Sequence, residues 1–337
     1  MSQVKMDAMK RIDFVKGHAG FDEIILLYGD QNEQGAELEV GLPLLFKPSL
    51  GAIEVGFLYA PEKSGDMKVK IIDAVSRDYV TMCGGLTQVL GKAVVETDIG
   101  RYFKIKVTEP VTQITLETDS GLIPITVEVQ HGAATKVWTN MKSYVEECYA
   151  ACVKPVRIGH MHAVNVGINP PRMEYLVTRV DELERADPGV DFWAKTRPAL
   201  DALMNLYHTF MENEKIRNDF LYGAFYDMRP ETRGDGRVMF RFHPFSFQEN
   251  TRIEWACGTG TTAIGIAMAV NGDVLSDGKT RTLFEVGSHR IVGEKQMFTE
   301  LALETMNGRV VEAQFSHSLI EMVASGKIYT PITSQIL

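Results

Sequence analysis

The sequence predicts an α/β (α+β) protein in which two pseudo-symmetric, β-rich domains each surround one central helix. Alternating or β-branched runs, which are typical of strands, dominate the 337-residue chain. Two cysteine–glycine motifs recur 174 positions apart, at Cys83 and Cys257, and each directly precedes an apolar, helix-like stretch. A short repeat follows each motif, LETDSG at 116–121 and LETMNG at 303–308. Because the order of features is the same twice, we predict two related domains.

The first predicted domain covers residues 1–135 and consists mostly of strands. Five runs are β-branched or alternating and are bounded by turn residues: DEIILLYGD, GAIEVGFLYA, KVKIIDAV, RYFKIKV and QITLETDSGLIPITVEV. One amphipathic helix of about three turns is expected directly after Cys83. Five apolar residues have the helical spacing that predicts it: Leu86, Val89, Leu90, Ala93 and Val94.

The second predicted domain covers residues 136–337, and its last residues could pack back on the first domain. It opens with strands in KVWTN and VRIGHMHAVNVG, and GRVMFRFHPF, TRIEW and RTLFEVG are strands further on. A helix is expected in DFWAKTRPALDALMNLYHTFMENE, started or broken by Pro198, with four residues on one face: Leu200, Leu203, Tyr207 and Met211. The helix after Cys257 is apolar on every face, so we expect it to be buried and to end at Asn271-Gly272.

Composition excludes several classes of protein. A net charge of −9 argues against broad binding to nucleic acid or to an anionic membrane surface, although a locally positive site could still bind a small anion. The first residues, MSQVKMDAMKRIDFVKG, lack the apolar core that is typical of a signal peptide, and no apolar run approaches transmembrane length. Four cysteines in a chain this long do not form a disulfide framework. We therefore expect a cytoplasmic protein with reduced thiols and a small-molecule ligand; a homodimer stays open.

A cysteine at the start of a helix is suited to acid–base chemistry. Such a thiol faces unpaired backbone N–H groups and the positive end of the helix dipole, which lower the pKa of a thiol and make its thiolate accessible near neutral pH. Glycines after it let a ligand approach the backbone, whose N–H groups suit a carboxylate. The residues expected to supply these donors are Gly84, Gly85, Gly258, Thr259 and Gly260.

Two such thiols on one substrate could invert a stereocentre. If an approximate two-fold axis relates the domains, Cys83 and Cys257 could flank one carbon, one as thiolate and one as thiol. The thiolate would remove a proton from one face and the thiol would return one to the other. A lone cysteine is more often a small buried hydrophobe, but two cysteines in the same glycine-rich setting favour chemistry.

These motifs resemble a known group of enzymes. MCGG and ACGTGTTA are similar to the cysteine motifs of the diaminopimelate epimerase and proline racemase superfamily. KGHAGFDEIILL resembles the opening strand of the epimerases and IGHMHAVNV their Gly-Asn-Pro-His-x-Val segment, whereas TDSGLIPITVEV and VWTNMKSYV are more similar to proline racemases. The resemblance implies the diaminopimelate epimerase-like fold and a racemase or epimerase that needs no pyridoxal phosphate or other cofactor. It also implies that Cys83 and Cys257 are the catalytic pair.

The resemblance also implies residues that bind the substrate. Asp22 is near the place of a substrate-contacting asparagine, and His160 and His162 lie in the histidine segment, where His160 replaces the asparagine. Glu249 and Arg252 lie near a Glu-Arg pair of the epimerases. These five residues are candidate contacts to the remainder of the substrate.

Several departures leave the substrate undefined. Gly84-Gly85-Leu86 lacks the polar residue that the superfamily carries after its first cysteine, and Ile253 stands where proline racemases have an aspartate. The identity of the amino acid therefore does not transfer. An isomerase that shifts a double bond in an unsaturated di- or tricarboxylate stays open. A dehydratase or a non-catalytic binding protein is disfavoured, because both cysteines are present.

Two other motifs compete with this interpretation. Gly258-Thr259-Gly260 begins a loose Gly-x-Gly-x-x-Ala fingerprint, which would indicate an NAD-dependent oxidoreductase. The strands that follow, and the turn-like setting of Asp273 and Asp277, argue against it. A zinc site could be formed from two pairs of ligands, but a packed helix face is the simpler explanation of its cysteines: Cys148, Cys152, His160 and His162.

Overall fold

The computed structural model describes residues 9–20, 22–30, 34–46, 50–74, 76–168, 173–194, 197–214, 221–232, 238–246, 257–286 and 297–331. The chain divides into two compact units. Unit 1 comprises Met1–Ala19, Glu23–Val137 and Ile320–Leu337, and unit 2 comprises Gly20–Asp22 and Trp138–Leu319. The predicted boundary between two domains, 1–135 and 136–337, stays a prediction.

The elements follow in chain order. As far as Asn140 they are β1 (Met9–Ala19), β2 (Asp22–Tyr28), α1 (Glu37–Leu45), β3 (Glu54–Tyr59), β4 (Met67–Asp73), β5 (Tyr79–Val80), α2 (Gly84–Glu96), α3 (Asp98–Tyr102), β6 (Val111–Thr118), β7 (Gly121–Gln130) and β8 (Ala133–Asn140). After Asn140 they are α4 (Lys142–Ala151), β9 (Cys152–Ile158), β10 (Met161–Ile168), β11 (Met173–Arg179), α5 (Val180–Ala186), α6 (Arg197–Glu214), β12 (Leu221–Thr232), β13 (Val238–Ser246), α7 (Gly258–Asn271), β14 (Gly278–Val286), β15 (Phe298–Met306), β16 (Arg309–His317) and β17 (Ile320–Pro331).

The strands of unit 1 form a mixed set of parallel and antiparallel pairs. β17 is antiparallel to β1, which also pairs with β2. β2 is parallel to β3, β3 antiparallel to β4, β4 parallel to β6, and β6 antiparallel to β7. Parallel neighbours need a crossover connection, and the one between β4 and β6 contains α2. α2 contacts β1, β7 and β17.

Unit 2 repeats this topology. β9 is antiparallel to β10, β10 to β11, and β11 is parallel to β12. β12 is antiparallel to β13, β13 parallel to β14, and β14 antiparallel to β15. The crossover between β13 and β14 contains α7, which contacts β10, β11, β15 and β16. The prediction of two pseudo-symmetric, β-rich units, each with a central helix, is confirmed.

The LET repeat does not belong to this symmetry. LETDSG spans the turn from β6 to β7, whereas LETMNG spans the turn from β15 to β16. Because β6 corresponds to β14 and β7 to β15, the two turns lie one strand apart, and their interpretation as equivalent positions is wrong. Both are tight turns that place glycine at positive φ, Gly121 at 106° and Gly308 at 72°, so the shared glycine reflects a common local demand.

The two central helices are the best predicted elements. The five apolar residues that predicted α2 are all buried in the unit 1 core. α7 is buried from Gly258 through Ala269, and Gly272 ends it in a left-handed conformation with φ 76°, as predicted. The eighth residue after each cysteine is a glycine packed against a strand. An added Cβ would lie 2.6 Å from Val137 Cγ1 at Gly91 and 2.9 Å from Leu301 Cδ2 at Gly265.

The remaining helices were predicted less well. α6 begins one residue before Pro198, so this proline starts the helix, where its missing N–H costs nothing. α1, α3 and α5 were not predicted from the sequence. α1 contains Gly41 and Pro43, and both residues weaken a helical pattern. None of the helices that the structure describes is long and apolar enough to cross a membrane.

Candidate active site

Cys83 and Cys257 occupy the same backbone position in their units. Each is the N-cap of the central helix, with extended φ and ψ of −135° and 124° at Cys83 and −140° and 116° at Cys257. The Sγ of Cys83 accepts the Leu86 N–H at 3.2 Å, and the Sγ of Cys257 accepts the Gly260 N–H at 3.3 Å. An N-cap side chain ordinarily accepts such a bond through oxygen, and here sulfur takes that place.

The residues after each cysteine form the first turn of the helix. Gly84 and Gly85 begin α2, whereas Gly258, Thr259 and Gly260 begin α7. Backbone N–H groups of a first helical turn have no partner within the helix, so this turn suits an anion. Glycine at 260 also keeps its neighbours apart, because an added Cβ would lie 3.2 Å from the Tyr175 ring and 3.3 Å from the Cys257 sulfur.

Cys257 belongs to a cluster that sequence reasoning missed. The Tyr175 hydroxyl lies 3.3 Å from the Cys257 Sγ and 2.6 Å from the Thr259 Oγ1, and Thr259 Oγ1 lies 3.3 Å from the same sulfur. Tyr175 is buried on β11 and its ring stacks on Tyr222 of β12, with centroids 5.1 Å apart. No motif near Tyr175 points to a role, because 82 positions separate it from Cys257 and the packing of α7 against β11 brings them together.

Cys83 has acidic neighbours instead. A carboxylate oxygen of Asp22, a carboxylate oxygen of Glu54 and the Cys83 Sγ all lie within 4.8 Å of one another. Asp22 is the first residue of β2 and Glu54 the first residue of β3, and Cys83 is buried. Asp22 was a candidate through the resemblance, whereas nothing in the sequence indicated Glu54. Within the described ranges, these three residues are the one group of three or more potential metal ligands this close together.

The histidine segment lies at the surface. His160 follows Gly159 in the turn between β9 and β10, and His162 lies on β10; both are exposed. The His162 N–H donates to Glu182 Oε2 at 3.0 Å, and its carbonyl accepts the Thr178 hydroxyl at 2.8 Å. These contacts tie the backbone of His162 to its own sheet and to α5.

Two further candidates lie outside the described residues. Glu249 and Arg252 fall in the stretch 247–256, directly before Cys257. Ile253, which stands where proline racemases have an aspartate, falls in the same stretch.

The zinc interpretation does not fit the structure. Cys148 is fully buried on α4, and burial raises the pKa of its thiol. The Cys152 sulfur lies 3.9 Å from the Asn165 carbonyl on the neighbouring strand. In the part of the chain that the structure describes, these cysteines do not form a close group of ligands with His160 and His162. Cys148 therefore has the packed-helix role that its spacing indicates.

The dinucleotide interpretation does not fit either. α7 does connect two parallel strands, which explains the local likeness of its glycines to the fingerprint. The next pairs, β14 with β15 and β15 with β16, are antiparallel, unlike a doubly wound sheet. The Asp273 carboxylate accepts the Tyr226 hydroxyl at 2.7 Å and pairs with Arg179, and Asp277 accepts the Asn307 N–H at 2.8 Å. Both acids therefore have structural roles.

Solved structures share this fold. A hydroxyproline epimerase from Agrobacterium vitis, with bound trans-4-hydroxy-L-proline, is 16% identical with a TM-score of 0.63, over 95% of this chain and 93% of that one. A probable proline racemase from Agrobacterium radiobacter, with bound carbonate, is 14% identical with a TM-score of 0.62, over 94% and 92%. A methylitaconate-Δ-isomerase is 14% identical with a TM-score of 0.61, over 98% and 99%.

At this level of identity the likeness establishes the fold, so the predicted diaminopimelate epimerase-like architecture is confirmed. No family model matches the chain, and no curated protein matches it in sequence.

Proposed function

We propose that this protein is an isomerase that needs no pyridoxal phosphate and inverts the α-carbon of an amino acid, with Cys83 and Cys257 as acid and base. One observation carries the proposal: both cysteines are N-caps of the central helices of two topologically equivalent units, each with its sulfur accepting a first-turn N–H. A duplicated thiol at a helix N-terminus matches the two-base chemistry that inversion needs. We place this activity in the cytoplasm, where thiols stay reduced.

The mechanism follows from the chemistry of the two first turns. A thiolate removes the α-proton, and the electron pair that remains on carbon is delocalised into the substrate carboxylate. Backbone donors at Gly84, Gly85, Gly258 and Thr259 then stabilise the growing negative charge on that carboxylate, whereas the Gly260 N–H already donates to the Cys257 sulfur. The second thiol gives its proton to the opposite face of the same carbon. The proposal thus requires the two sulfurs to approach the α-carbon from opposite sides.

The charge next to Cys83 favours an amino acid as substrate. Asp22 and Glu54 place two carboxylates within 4.8 Å of the sulfur, and carboxylates are ordinarily ionised at neutral pH. Their charge attracts an α-ammonium group and repels a second or third carboxylate. An amino acid is therefore favoured over an unsaturated di- or tricarboxylate, the substrate class of the alternative allylic isomerase.

The remaining candidates have weaker support. His160 and His162 have exposed side chains, and the structural contacts of His162 are to its own sheet and α5, so the proposal gives neither a role. Glu249 and Arg252 remain substrate-binding candidates through their resemblance to the Glu-Arg pair of the epimerases.

Chiral chromatography of single enantiomers tests the proposal. Reduced protein is incubated with each member of an amino-acid panel, proline and hydroxyproline included, without pyridoxal phosphate. We expect inversion of one or a few members, lowered at least about 100-fold in Cys83→Ser and in Cys257→Ser, because general acid–base groups contribute at least that factor.

Cys152→Ser is the matched control, since it removes a thiol that begins a strand rather than a helix, and it should invert at the wild-type rate. Full inversion in either catalytic variant would contradict the proposal. Activity on unsaturated di- or tricarboxylates alone would contradict the charge argument and support the allylic isomerase.

A further inference from the structure

We infer that the two thiols differ at rest: Cys257 carries the thiolate, Cys83 stays a neutral thiol, and Tyr175 is the residue that positions and stabilises the Cys257 thiolate. The inference rests on the proposed function for its catalytic meaning. Its structural basis is the different set of groups around each sulfur. These groups act in addition to the helix N-terminus, which both cysteines share.

The triangle of Cys257, Thr259 and Tyr175 can always direct a hydroxyl hydrogen to an ionised sulfur. Two hydroxyl hydrogens lie in the triangle when the sulfur is a thiolate. If the Tyr175 hydroxyl donates to Thr259, the Thr259 hydroxyl can donate to the sulfur. If the Thr259 hydroxyl donates to Tyr175 instead, the Tyr175 hydroxyl can donate to the sulfur. With the Gly260 N–H, the thiolate accepts at least two hydrogen bonds in both of these arrangements. Hydrogen bonds to the charged form favour that form.

The same triangle also accommodates the protonated sulfur. After Cys257 gains a proton, three hydrogens can circulate around the triangle, each group donating to the next. A residue that takes a proton in one half of a turnover and gives it back in the other needs both states to be satisfied. The triangle meets this requirement without any movement of heavy atoms.

Tyr175 is fixed in this role by its packing. Its side chain is only 1% exposed, and its ring lies nearly parallel to the Tyr222 ring, at 23°. β11 and β12 pair directly at these two residues. A rigid hydroxyl loses little freedom when it binds the sulfur, so most of the hydrogen-bond energy is available to the thiolate.

Cys83 lies in the opposite electrostatic setting. Two carboxylates, Asp22 and Glu54, lie within 4.8 Å of its sulfur. A like charge at that distance disfavours a second negative charge, so ionisation of this thiol is opposed. The Cys83 sulfur accepts the Leu86 N–H just as the Cys257 sulfur accepts the Gly260 N–H. This hydrogen bond therefore does not distinguish the two sites.

One more titratable group on a packed element interacts with Cys257. Tyr144 on α4 is fully buried, and burial raises its pKa well above the usual value, with smaller contributions from Cys148 and then Cys257. Tyr144 therefore stays neutral and adds no charge that would oppose the Cys257 thiolate.

The resting state fixes the first proton transfer. The Cys257 thiolate takes the α-proton and becomes a thiol, while Cys83 gives its S–H proton to the other face and becomes a thiolate. The protein is then in the less stable protonation state, with Cys83 as thiolate and Cys257 as thiol. It returns to rest when solvent protonates Cys83 and accepts the proton of Cys257, so protons balance over the cycle.

Alkylation across a pH series tests the inference without any substrate. The reduced protein is treated briefly with iodoacetamide at each pH, and peptide mass spectrometry reports the labelling rate of each cysteine. The midpoint of the rate against pH reports ionisation, whereas a difference in accessibility changes only the plateau. We expect the Cys257 midpoint to lie at least about one pH unit below that of Cys83, the size expected for a hydrogen bond to a charged group.

Four variants assign the difference to named groups. Tyr175→Phe keeps the ring on Tyr222 and should raise the Cys257 midpoint by about one pH unit while the Cys83 midpoint stays fixed. Glu54→Gln should lower the Cys83 midpoint alone. Thr259→Val should raise the Cys257 midpoint and Thr259→Ser should restore it. Unchanged circular dichroism shows that each variant is folded.

Three results would overturn the inference: equal midpoints, a lower midpoint at Cys83, or a Cys257 midpoint that Tyr175→Phe does not move. In turnover, Tyr175→Phe should lower kcat with little change in KM. It should also shift the acid limb of the pH–rate profile to higher pH, which loss of a purely structural residue would not do. Failure of the proposed function is separate, because it would appear as absence of inversion with the midpoints still in the expected order.

Discussion

The first turns of α2 and α7 share their backbone geometry and their backbone contact to sulfur. Each begins at a cysteine in extended conformation whose sulfur accepts the N–H three residues later, and each helix carries a close-packed glycine eight residues after the cysteine. The neighbouring strands differ. Near Cys83, β2 and β3 supply Asp22 and Glu54, whereas near Cys257 the equivalent strands β11 and β12 supply Tyr175 and Tyr222.

This difference indicates that the duplicated backbone and the side chains around it have separate functions. The helix N-terminus makes both sulfurs usable as acid or base. In the proposed mechanism, the carboxylates near Cys83 and the hydroxyls near Cys257 then decide which protonation state is preferred at rest. A symmetric scaffold can thus act on an asymmetric substrate, with one end suited to an ammonium group.

Replacement of one cysteine at a time should separate the roles of the two thiols most clearly. Cys257→Ala and Cys83→Ala should both lower inversion at least about 100-fold. They should differ in exchange of the α-proton with D₂O. Cys83→Ala keeps the resting base and should still exchange one enantiomer, whereas Cys257→Ala should lose exchange at neutral pH. Proton NMR with each enantiomer measures this, and equal exchange in both variants would count against the assigned roles.

Oxidation should stop the reaction if both sulfurs reach one carbon. A mild oxidant is expected to join Cys83 and Cys257 as a disulfide, with loss of activity that a reductant restores. Activity assays with and without reductant, together with peptide mapping under non-reducing conditions, measure this. Cys152→Ser should behave as wild type. Activity that needs no reductant and persists after oxidation would contradict the proposed pair.

The equivalent glycines should show that the scaffold is symmetric in stability. Gly91→Ala and Gly265→Ala each force a Cβ against a strand, at 2.6 Å from Val137 and 2.9 Å from Leu301. Each should lower the free energy of unfolding by about 1–3 kcal/mol in urea denaturation. Gly189→Ala is the control, because its nearest neighbour would be an Asp187 oxygen at 3.7 Å. No loss at either helix would show that the packing yields easily.

The smallest effect is expected at the histidine segment. His162→Asn removes an exposed imidazole and leaves the backbone bonds to Glu182 and Thr178 in place. Inversion should stay within about threefold of wild type, since no step of the mechanism uses this ring. A loss of about 100-fold would instead support the substrate contact that the resemblance implies.

The sequence predicted those features that depend on local order. The spacing of apolar residues after Cys83, the fully apolar run after Cys257 and the stop at Gly272 each depend on neighbours in the chain, and each prediction is confirmed. The LET repeat was also local, yet its interpretation was wrong, because the two copies lie at different turns and a tight turn favours glycine wherever it occurs.

The surroundings of the two sulfurs could not be predicted in the same way. Tyr175 reaches Cys257 across 82 positions because α7 packs against β11, and a buried strand tyrosine is usually a core residue. Glu54 precedes Cys83 by 29 positions and begins a different element. Asp22 was found only because a known family has a polar contact near that place. Long-range contacts of this kind leave no periodic or spaced signal.

Exchange of the α-proton in D₂O tests the central claim most directly. The reduced wild-type protein is incubated with a panel of amino acids, without pyridoxal phosphate, and proton NMR follows the α-proton signal. The account predicts loss of that signal for one or a few amino acids. No exchange in any member of the panel would contradict it.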